Sequence, residues 1–265
     1  MASKGKLFAP PKDWKVLYDA VKEMRKSGAA PVDTIGCDRL YDPLATRSNQ
    51  RYQILLSLML SSQTRDQVTA AAMDRLKALK GGCIPKTIND LQEQKLAELL
   101  HPVSFYNNKA KFIKKTTLEI IERFDSEVPS EYDTLVSFPG LGPKMVHLFL
   151  QAADGVTLGI GVDVHVHRIS QRFNWVPKTV KTPEDTRKAL ESWLPREYWN
   201  QVNHLLVGHG QTICLPRGPR CGDCAAAAHC PNAFKESKRP RDIEDAGLEA
   251  MLPSSRRSNS SRVKK

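Results

Sequence analysis

Four of the six cysteines in this 265-residue chain lie within one short segment, at Cys214, Cys221, Cys224 and Cys230. Six, two and five residues separate them in turn. Four thiolates at such spacing can bind either a tetrahedral zinc ion or a cubane iron–sulfur cluster. Structural zinc sites usually combine two short Cys-x2–4-Cys pairs, and this segment has only one. The spacing predicts a metal centre that this segment folds around, with the identity of the metal still open.

The remaining cysteines, Cys37 and Cys83, stand alone and are expected to be buried core residues. Six cysteines in a chain that is not secreted are expected to be reduced. The first residues do not lead into an apolar segment, and the longest apolar runs, near residues 54–60, are far shorter than the roughly 20 residues of a membrane span. The sequence therefore predicts neither secretion nor a membrane-spanning helix.

Apolar residues recur at helical spacing along most of the chain, and strand-like alternation is scarce, so an all-α fold is predicted. Thr64 with Gln67 three residues later has the form of a capping box at a helix start, and Gly81-Gly82 would end that helix. Residues 31–47 are predicted to be a connection rather than a helix. The helices are predicted at 13–26, 49–60, from 64 to about 76, 88–100, 107–123, 132–136, 143–153, 165–173, 183–192 and 198–208.

The net charge of +11 and a pI near 9.4 favour a polyanionic partner, with nucleic acid ahead of a membrane surface. From Lys235 onward nine basic and five acidic residues make up a polar tail, so most of the positive charge belongs to the rest of the chain. The tail carries two basic clusters, Lys238–Arg241 and Arg256–Arg257, which are typical of a nuclear address or of a solubilising segment.

The segment from Ser137 to Lys144 reads Ser-Phe-Pro-Gly-Leu-Gly-Pro-Lys and lies between two predicted helices. Gly140 and Gly142 are expected to allow backbone conformations that other residues avoid, and to let amide groups approach an anion. Pro143 suits the first position of the following helix, whose free N–H groups would face the same anion. The segment therefore predicts a phosphate-binding hairpin, and an ordinary helix corner remains the alternative.

Five segments together resemble the endonuclease III family of DNA glycosylases, over roughly residues 45–234. The hairpin is similar to the family's helix–hairpin–helix pattern Leu-Pro-Gly-Val-Gly-x-Lys, and the 6-2-5 cysteine spacing is that of its [4Fe–4S] cluster. The other similar segments are Leu58–Asp66, Phe105–Lys111 and Val162–Arg168, with His209-Gly210 before the cysteines. Val164 departs from the family pattern, which has threonine there, and so removes a hydroxyl next to Asp163.

The resemblance implies a helix–hairpin–helix DNA glycosylase fold with a six-helix barrel domain and a helical domain that binds one [4Fe–4S] cluster per chain. The expected divisions are a flexible N-terminus at 1–12, an N-terminal part of the cluster domain at 13–43, the barrel at 44–156 with its hairpin at 137–153, the cluster domain at 157–234, and a disordered basic tail at 235–265. The expected partner is double-stranded DNA with damaged bases or abasic sites, bound by a monomer in the nucleus, with the mitochondrion as an alternative location.

The resemblance also implies site residues. Lys144 would be the nucleophile that forms a Schiff base, and Asp163 the carboxylate that assists it. Gln63 would fill the gap left by a flipped nucleotide. The position of Leu141 at the hairpin tip, and not the resemblance, predicts that it wedges beside the orphaned base. The expected DNA contacts are Gly140, Gly142, Arg217 and Arg220, and the expected cluster ligands are Cys214, Cys221, Cys224 and Cys230.

Each of these residues also has a simpler interpretation. Lys144 is typical of a phosphate-binding or solvated lysine at a helix start, Asp163 of a helix N-cap, and Gln63 of a residue that satisfies a helix end. His165 and His167 are expected to pack and to form hydrogen bonds rather than to bind a metal. The predicted function is excision of oxidised pyrimidines with strand cleavage by β-elimination. The alternatives are a related adenine DNA glycosylase without lyase activity and a non-catalytic helix–hairpin–helix DNA-binding module.

Overall fold

The computed structural model describes residues 8–235, and this part of the chain is helical with no β-strand. The predicted tail beyond Lys235 with its two basic clusters, and residues 1–7 of the predicted N-terminal segment, lie outside the described residues. No helix within 8–235 is long and apolar enough to cross a bilayer. The all-α fold is as predicted.

Twelve α-helices run along the described chain. Single turns of 3-10 helix occur at Arg25–Ser27, Arg196–Tyr198 and Cys221–Asp223. The helices are α1 (Trp14–Met24), α2 (Pro31–Ile35), α3 (Arg47–Ser61), α4 (Asp66–Lys77), α5 (Pro85–Asp90), α6 (Glu93–Leu100), α7 (Tyr106–Phe124), α8 (Tyr132–Ser137), α9 (Pro143–Asp154), α10 (Val164–Arg172), α11 (Pro183–Glu191) and α12 (Trp199–Thr212).

Two predicted helix boundaries are wrong for local reasons. The helix predicted over 88–100 is split into α5 and α6, because Leu91 and Gln92 take extended backbone angles. The connection predicted at 31–47 contains α2, which begins with a proline and is capped by an Asp33 carboxylate oxygen that accepts from the Ala30 N–H at 2.9 Å.

The capping box predicted at Thr64 is also wrong. Helix α4 begins two residues later, at Asp66, with Arg65 in an extended conformation before it. The Thr64 hydroxyl instead donates to the Ser62 carbonyl at 3.1 Å, across the turn that joins α3 to α4. The turn between these helices is therefore held by its own polar contacts, and Gln63 lies at its centre.

The described chain has two hydrophobic cores. The first is built by the seven helices from α3 to α9, and α3 runs through it with every residue from 52 to 60 buried. The second combines α1 and α2 with α10, α11 and α12, so the N-terminal segment returns to pack with the C-terminal part. The predicted six-helix barrel thus contains seven helical segments, because one predicted helix is split in two. The domain limits themselves stay a prediction.

Gln211 on α12 connects the two cores at one edge. Its side-chain amide donates to Asp66 at 2.7 Å, and its carbonyl oxygen accepts from the Val32 N–H at 3.1 Å. The starts of α4 and α2 are thereby tied to the end of α12. The start of α4 carries Asp66, which acts electrostatically on His165 of α10 together with Asp163 and Lys144, so the starts of α4, α9 and α10 lie near one another.

His147 on α9 is a buried group that should make the fold sensitive to acid. Both ring nitrogens are buried without a hydrogen-bond partner among the described residues, and the ring lies 5.0 Å from that of Tyr132. Burial lowers the pKa of His147 to about 4, and the Arg187 charge lowers it further, against a smaller opposing effect of Glu184. Between pH 6.5 and 4 the unfolded chain therefore binds a proton at this position that the folded chain does not.

We expect this histidine to lower the free energy of unfolding as the pH falls from 6.5 to 4, by up to about 1.4 kcal/mol per pH unit. His147→Phe should flatten that slope, which urea unfolding at pH 7 and pH 5 measures. A packing effect of the phenylalanine ring changes the free energy of unfolding equally at both pH values. The difference between pH 7 and pH 5 therefore measures the titration alone. Equal slopes in the wild type and the variant would show that His147 binds its proton equally well in both states.

Candidate active site

The hairpin between α8 and α9 depends on a glycine at position 140 and on a contact with α7. Gly140 has a φ of +83°, and a Cβ at this position would lie 3.0 Å from the Cβ of Phe112 on α7. The Thr116 hydroxyl, one turn further along α7, donates to the Pro139 carbonyl at 3.1 Å. The hairpin is thus held against α7, and a glycine is required at position 140 both by conformation and by space.

Gly142 has a different role from the one predicted. Its φ of −111° is open to any residue, and a Cβ there would meet no atom within 4 Å, so conformation does not require a glycine. Pro143 occupies the first turn of α9, as predicted, and Gly142 caps the helix without a side chain. The first N–H groups of α9 are therefore left open toward an approaching anion.

Lys144 lies in the first turn of α9 and is half-buried. Asp163 is the N-cap of α10, where one carboxylate oxygen accepts from the Val166 N–H at 2.8 Å. Within residues 8–235 the other carboxylate oxygen makes no hydrogen bond. Asp163 therefore caps the helix with one oxygen and keeps the second for another partner.

His165 lies close enough to both candidate catalytic residues for their charges to act on it. Burial lowers the pKa of His165, the charge of Asp163 raises it, and the charge of Lys144 lowers it. Asp66 at the start of α4 acts on the same ring and raises its pKa. Lys144 and Asp163, which are 19 positions apart in the sequence, therefore converge on one histidine with opposite charges.

Two more titratable groups lie near these residues. Burial raises the pKa of Asp66, against the lowering effect of its hydrogen bond from Gln211. Burial raises the pKa of the Cys37 thiol to about 12, and the neighbouring Lys144 charge opposes that rise. Cys37 is half-buried and Cys83 is fully buried, in agreement with the predicted core roles of both.

Val164 does not disturb Asp163. Its side chain is 65% exposed, and the capping hydrogen bond of Asp163 runs to Val166 instead. The missing threonine hydroxyl thus leaves the local geometry of the cap intact. The next histidines make the hydrogen bonds expected of them, His165 with Arg168 at 3.1 Å and His167 with the Thr186 hydroxyl at 2.6 Å.

A groove of about 330 Å³ opens beside Lys144. It runs between the starts of α9 and α11 and is lined mainly by apolar side chains, with the paired charges of Glu184 and Arg187 at one side. Lys144 therefore faces open space that a substrate group can enter.

The four clustered cysteines line a single pocket together with Phe173 and His209. Burial raises the pKa values of Cys224 and Cys230, and the neighbouring thiols raise them further. Arg172 on α10 donates to the Cys214 sulfur at 3.2 Å. The chemistry of this donor set, four thiols and a guanidinium around one cavity, fits a group that carries negative charge.

The described residues contain no set of three His, Cys, Asp or Glu side chains gathered closely enough around one point to hold a single metal ion. A cubane cluster does not need such a set, because each thiolate binds a different iron atom of the cluster. The four thiols around one cavity are therefore compatible with a cluster.

Arg168 joins His165 to the cysteine segment. Its guanidinium contacts His165 and donates to the Cys214 carbonyl at 2.9 Å and to the Gly210 carbonyl at 3.3 Å. A Cβ at Gly210 would lie 2.5 Å from the His165 ring, so a glycine is needed for α12 to approach α10 this closely. The position of His165 thus depends on the segment that carries the cysteines.

Comparison with known sequences identifies the family. The sequence model described as HhH-GPD superfamily base excision DNA repair protein matches residues 56–196, which include the hairpin, Lys144 and Asp163. The chain belongs to this superfamily. Its resemblance to endonuclease III, first visible in the motifs, is confirmed by relatives of that name.

Endonuclease III-like protein 1 of Bos taurus is 48% identical over 223 residues, which are 84% of this chain and 72% of that protein. The protein of the same name from Mus musculus is 49% identical, over 84% of this chain and 74% of its own length. A solved structure of endonuclease III trapped as a covalent intermediate with DNA is 25% identical, with a TM-score of 0.69, and covers 83% of this chain and 97% of that one. These matches confirm the helix–hairpin–helix glycosylase fold.

The predicted wedge residue, Leu141, is buried in the structure of this HhH-GPD protein. Leu141 is 7% exposed and packs in the first core. The Leu141 N–H donates to the Phe138 carbonyl at 3.1 Å within the tight hairpin turn, and the apolar side chain is buried beneath it. The prediction that Leu141 projects toward DNA is therefore wrong for this structure.

Gln63 and Phe105 do project from the surface of this HhH-GPD member. Gln63 is exposed at the α3–α4 turn with a φ of +52°, and Phe105 is 63% exposed just before α7 with a φ of +56°. Left-handed backbone is uncommon for residues other than glycine and concentrates at functional sites. Phe105 is a candidate that the sequence reasoning missed, although a large aromatic residue at a helix start was a visible signal.

The predicted arginine contacts lie beside the cysteine pocket. Arg217 and Arg220 are both exposed, and Arg220 pairs with Asp223 at 2.7 Å within the same loop. An exposed ion pair of this kind contributes little to stability and exchanges readily for another anion. Both side chains are therefore accessible to a phosphate.

Proposed function

We propose that this HhH-GPD protein is a bifunctional DNA glycosylase and abasic-site lyase that excises oxidised pyrimidines from double-stranded DNA. The position of Lys144, on a groove of about 330 Å³ at the start of α9 where no side chain caps the first amides, is the observation that supports this most strongly. Two of its curated relatives are named endonuclease III-like proteins, and a similar solved structure is of a covalent endonuclease III–DNA intermediate.

The chemistry begins with Lys144. Its amine loses a proton, for which the free carboxylate oxygen of Asp163 is the acceptor, and attacks C1′ of the damaged nucleotide. A C1′–N bond to lysine forms as the glycosidic bond breaks, and the base leaves with the bonding electron pair. Negative charge on Asp163 stabilises the positive charge that develops on the sugar.

Strand cleavage follows from the same covalent bond. Opening of the sugar ring leaves a Schiff base between Lys144 and C1′, which makes the C2′ proton acidic. Removal of that proton expels the 3′ phosphate by β-elimination, and water then releases the lysine. The amine thus connects base removal to strand cleavage.

DNA binding is assigned to the hairpin, to two exposed arginines and to two exposed side chains at helix starts and turns. The hairpin at Gly140 and Gly142 would bind a backbone phosphate through the first amides of α9. Arg217 and Arg220 would contact phosphates further along the same face. Gln63 would occupy the space of the flipped nucleotide, and Phe105 takes the wedge role that Leu141 does not fill.

The direct test is a duplex oligonucleotide with one oxidised thymine. We expect the free base to be released together with a strand break that carries an unsaturated aldehyde at its 3′ end. A strand that breaks only after alkali would contradict the lyase activity and support a glycosylase that uses water as the nucleophile, and release of adenine in place of the oxidised thymine would support the adenine-glycosylase alternative. Binding without base release would support a non-catalytic DNA-binding module.

Cys214, Cys221, Cys224 and Cys230 would hold one [4Fe–4S] cluster per chain. When bound, the cluster would supply a rigid covalent closure of the loop, and its redox chemistry is not needed for the steps above. The chain's own contacts, from Arg172 to the Cys214 sulfur and from Arg168 to the Cys214 carbonyl, would position α10 relative to that loop.

Purified protein is expected to show broad visible absorption and about four iron atoms per chain. Cys221→Ser should remove the absorption and lower the melting temperature, because the loop then loses its closure. Cys83→Ser serves as the matched control, since Cys83 is buried in the other core. Colourless protein with about one bound zinc would contradict the cluster assignment.

We further propose that the protein acts as a monomer in the nucleus, where the basic clusters 238–241 and 256–257 serve as the address. A fluorescent fusion should lose nuclear accumulation when both clusters are replaced by alanine. Mitochondrial fluorescence in place of nuclear fluorescence would support the alternative location.

A further inference from the structure

Lys109 on α7 is a buried lysine that the chemistry above does not use. It is 7% exposed, and its ammonium donates to the Leu60 carbonyl at 2.6 Å, the Ser62 carbonyl at 2.7 Å and the Thr64 hydroxyl at 3.1 Å. An ammonium has three N–H donors, so these contacts use all of them. Burying such a group is costly unless each donor is paired, which makes the three contacts mutually dependent.

The three oxygens that accept from Lys109 belong to residues on both sides of Gln63 in the chain. Leu60 lies in the last turn of α3, where carbonyl groups lack helical partners, and Ser62 and Thr64 are the immediate neighbours of Gln63. The left-handed backbone of Gln63 is a conformation that needs support from its surroundings. Lys109 supplies that support from a neighbouring helix.

The same lysine is joined to Phe105. The Lys109 backbone N–H donates to the Phe105 carbonyl at 3.0 Å, so Lys109 lies one helical turn after the exposed aromatic residue. Phe105, like Gln63, has left-handed backbone. One residue thus connects the two exposed side chains assigned to the DNA duplex, through its backbone to Phe105 and through its side chain to the Gln63 turn.

We propose that Lys109 is a positioning residue for the opening of duplex DNA, because it fixes the Gln63 turn to the start of α7 so that Gln63 and Phe105 enter the duplex together. This inference rests on the proposed function, in which these two side chains replace the flipped nucleotide. It adds a residue that contacts no DNA and assigns it to a single step, the opening of the duplex before any bond is broken.

The three hydrogen bonds of the Lys109 ammonium depend on its positive charge. All three acceptors are neutral, and burial alone lowers the pKa of Lys109 to about 8, with no contribution from an acidic or basic side chain. The neutral amine has only two N–H donors, and its lone pair would then face one of the three oxygens. Duplex opening should therefore weaken as the pH rises through about 8.

Lys109→Met tests the inference because methionine keeps most of the side-chain length and has no donor. Lys114→Met is the matched control, since Lys114 lies on the same helix and its ammonium also makes three contacts, in this case with the backbone carbonyls of Ile88, Asn89 and Leu91 around α5 and α6. Opening is measured by the fluorescence of 2-aminopurine opposite an abasic-site analogue. Cleavage is measured on an abasic site in a duplex and in single-stranded DNA.

We expect Lys109→Met to reduce duplex opening and duplex cleavage by on the order of tenfold or more, the effect of losing charged hydrogen bonds. Cleavage of the single strand should stay within about twofold of the wild type, and Lys114→Met should alter neither reaction. Equal loss on both substrates, or no loss on either, would overturn the inference. If Gln63→Ala and Phe105→Ala leave opening unchanged, the assignment of those two residues fails instead.

Lys109→Arg and the wild type form a second comparison that does not depend on the methionine variant folding. Arginine stays protonated at every accessible pH, whereas Lys109 loses its proton near pH 8. Opening by the wild type should decline between pH 7 and 9, and opening by Lys109→Arg should not. Identical pH profiles would contradict the positioning role.

Discussion

Replacing Lys144 with glutamine is expected to lower strand cleavage at an abasic site by at least about 1,000-fold, since loss of a covalent nucleophile commonly costs this much or more. Glutamine keeps the length and polarity of the side chain but cannot form a Schiff base. The hairpin amides that would hold the phosphate are backbone groups, so DNA affinity should change by only a few-fold. Single-turnover cleavage and a binding titration measure the two effects.

Lys95→Gln serves as the control, because Lys95 is an exposed lysine on α6 that pairs with Glu98. It should leave cleavage and binding unchanged. Normal base release by Lys144→Gln without strand cleavage would show that water, not lysine, attacks the sugar. Loss of binding equal to the loss of cleavage would instead show that Lys144 only holds the phosphate.

Replacing Asp163 with asparagine is expected to lower base excision by about 1,000-fold while leaving the fold almost as stable as the wild type. Asparagine can still accept the hydrogen bond from the Val166 N–H, so the cap of α10 is kept. It cannot accept the proton of Lys144 or carry the negative charge that stabilises the sugar. Excision is measured in a single turnover, and stability by urea unfolding.

Asp163→Ala separates the two roles of this residue. It should lose the same activity and also about 1 kcal/mol of stability, because the cap is gone. If Asp163→Asn excises bases at the wild-type rate, Asp163 is only a helix cap. If both variants lose stability equally, the structural role is larger than one hydrogen bond explains.

The parts of the molecule that depend on short sequence segments could be predicted. The all-α fold follows from helical periodicity, and Pro143 begins α9 because its fixed φ suits a helix start. The packing of the N-terminal segment with the C-terminal part was implied by the resemblance to the endonuclease III family, and the second core contains residues of both. Leu91 and Gln92 mark the limit of this reasoning, because the extended backbone that separates α5 from α6 has no proline or glycine to signal it.

Which large apolar side chain is exposed at the site could not be predicted, because exposure depends on tertiary packing. Leu141 and Phe105 are both large apolar residues at turns, yet one is buried and the other is 63% exposed. Thr64 has the spacing of a cap, but its hydroxyl holds the turn that Lys109 reaches from 45 positions away. Only the packing of α7 against the end of α3 shows which side chains are free to meet DNA.

The proposed mechanism requires that the amine of Lys144 forms the covalent bond to the sugar. The most direct measurement is to reduce the complex with abasic DNA using borohydride, digest protein and DNA, and locate the added sugar remnant by tandem mass spectrometry. The remnant is expected on Lys144 in the peptide that begins α9. A remnant on another lysine or on the N-terminal amine, or no adduct from protein that cleaves the strand, would contradict it.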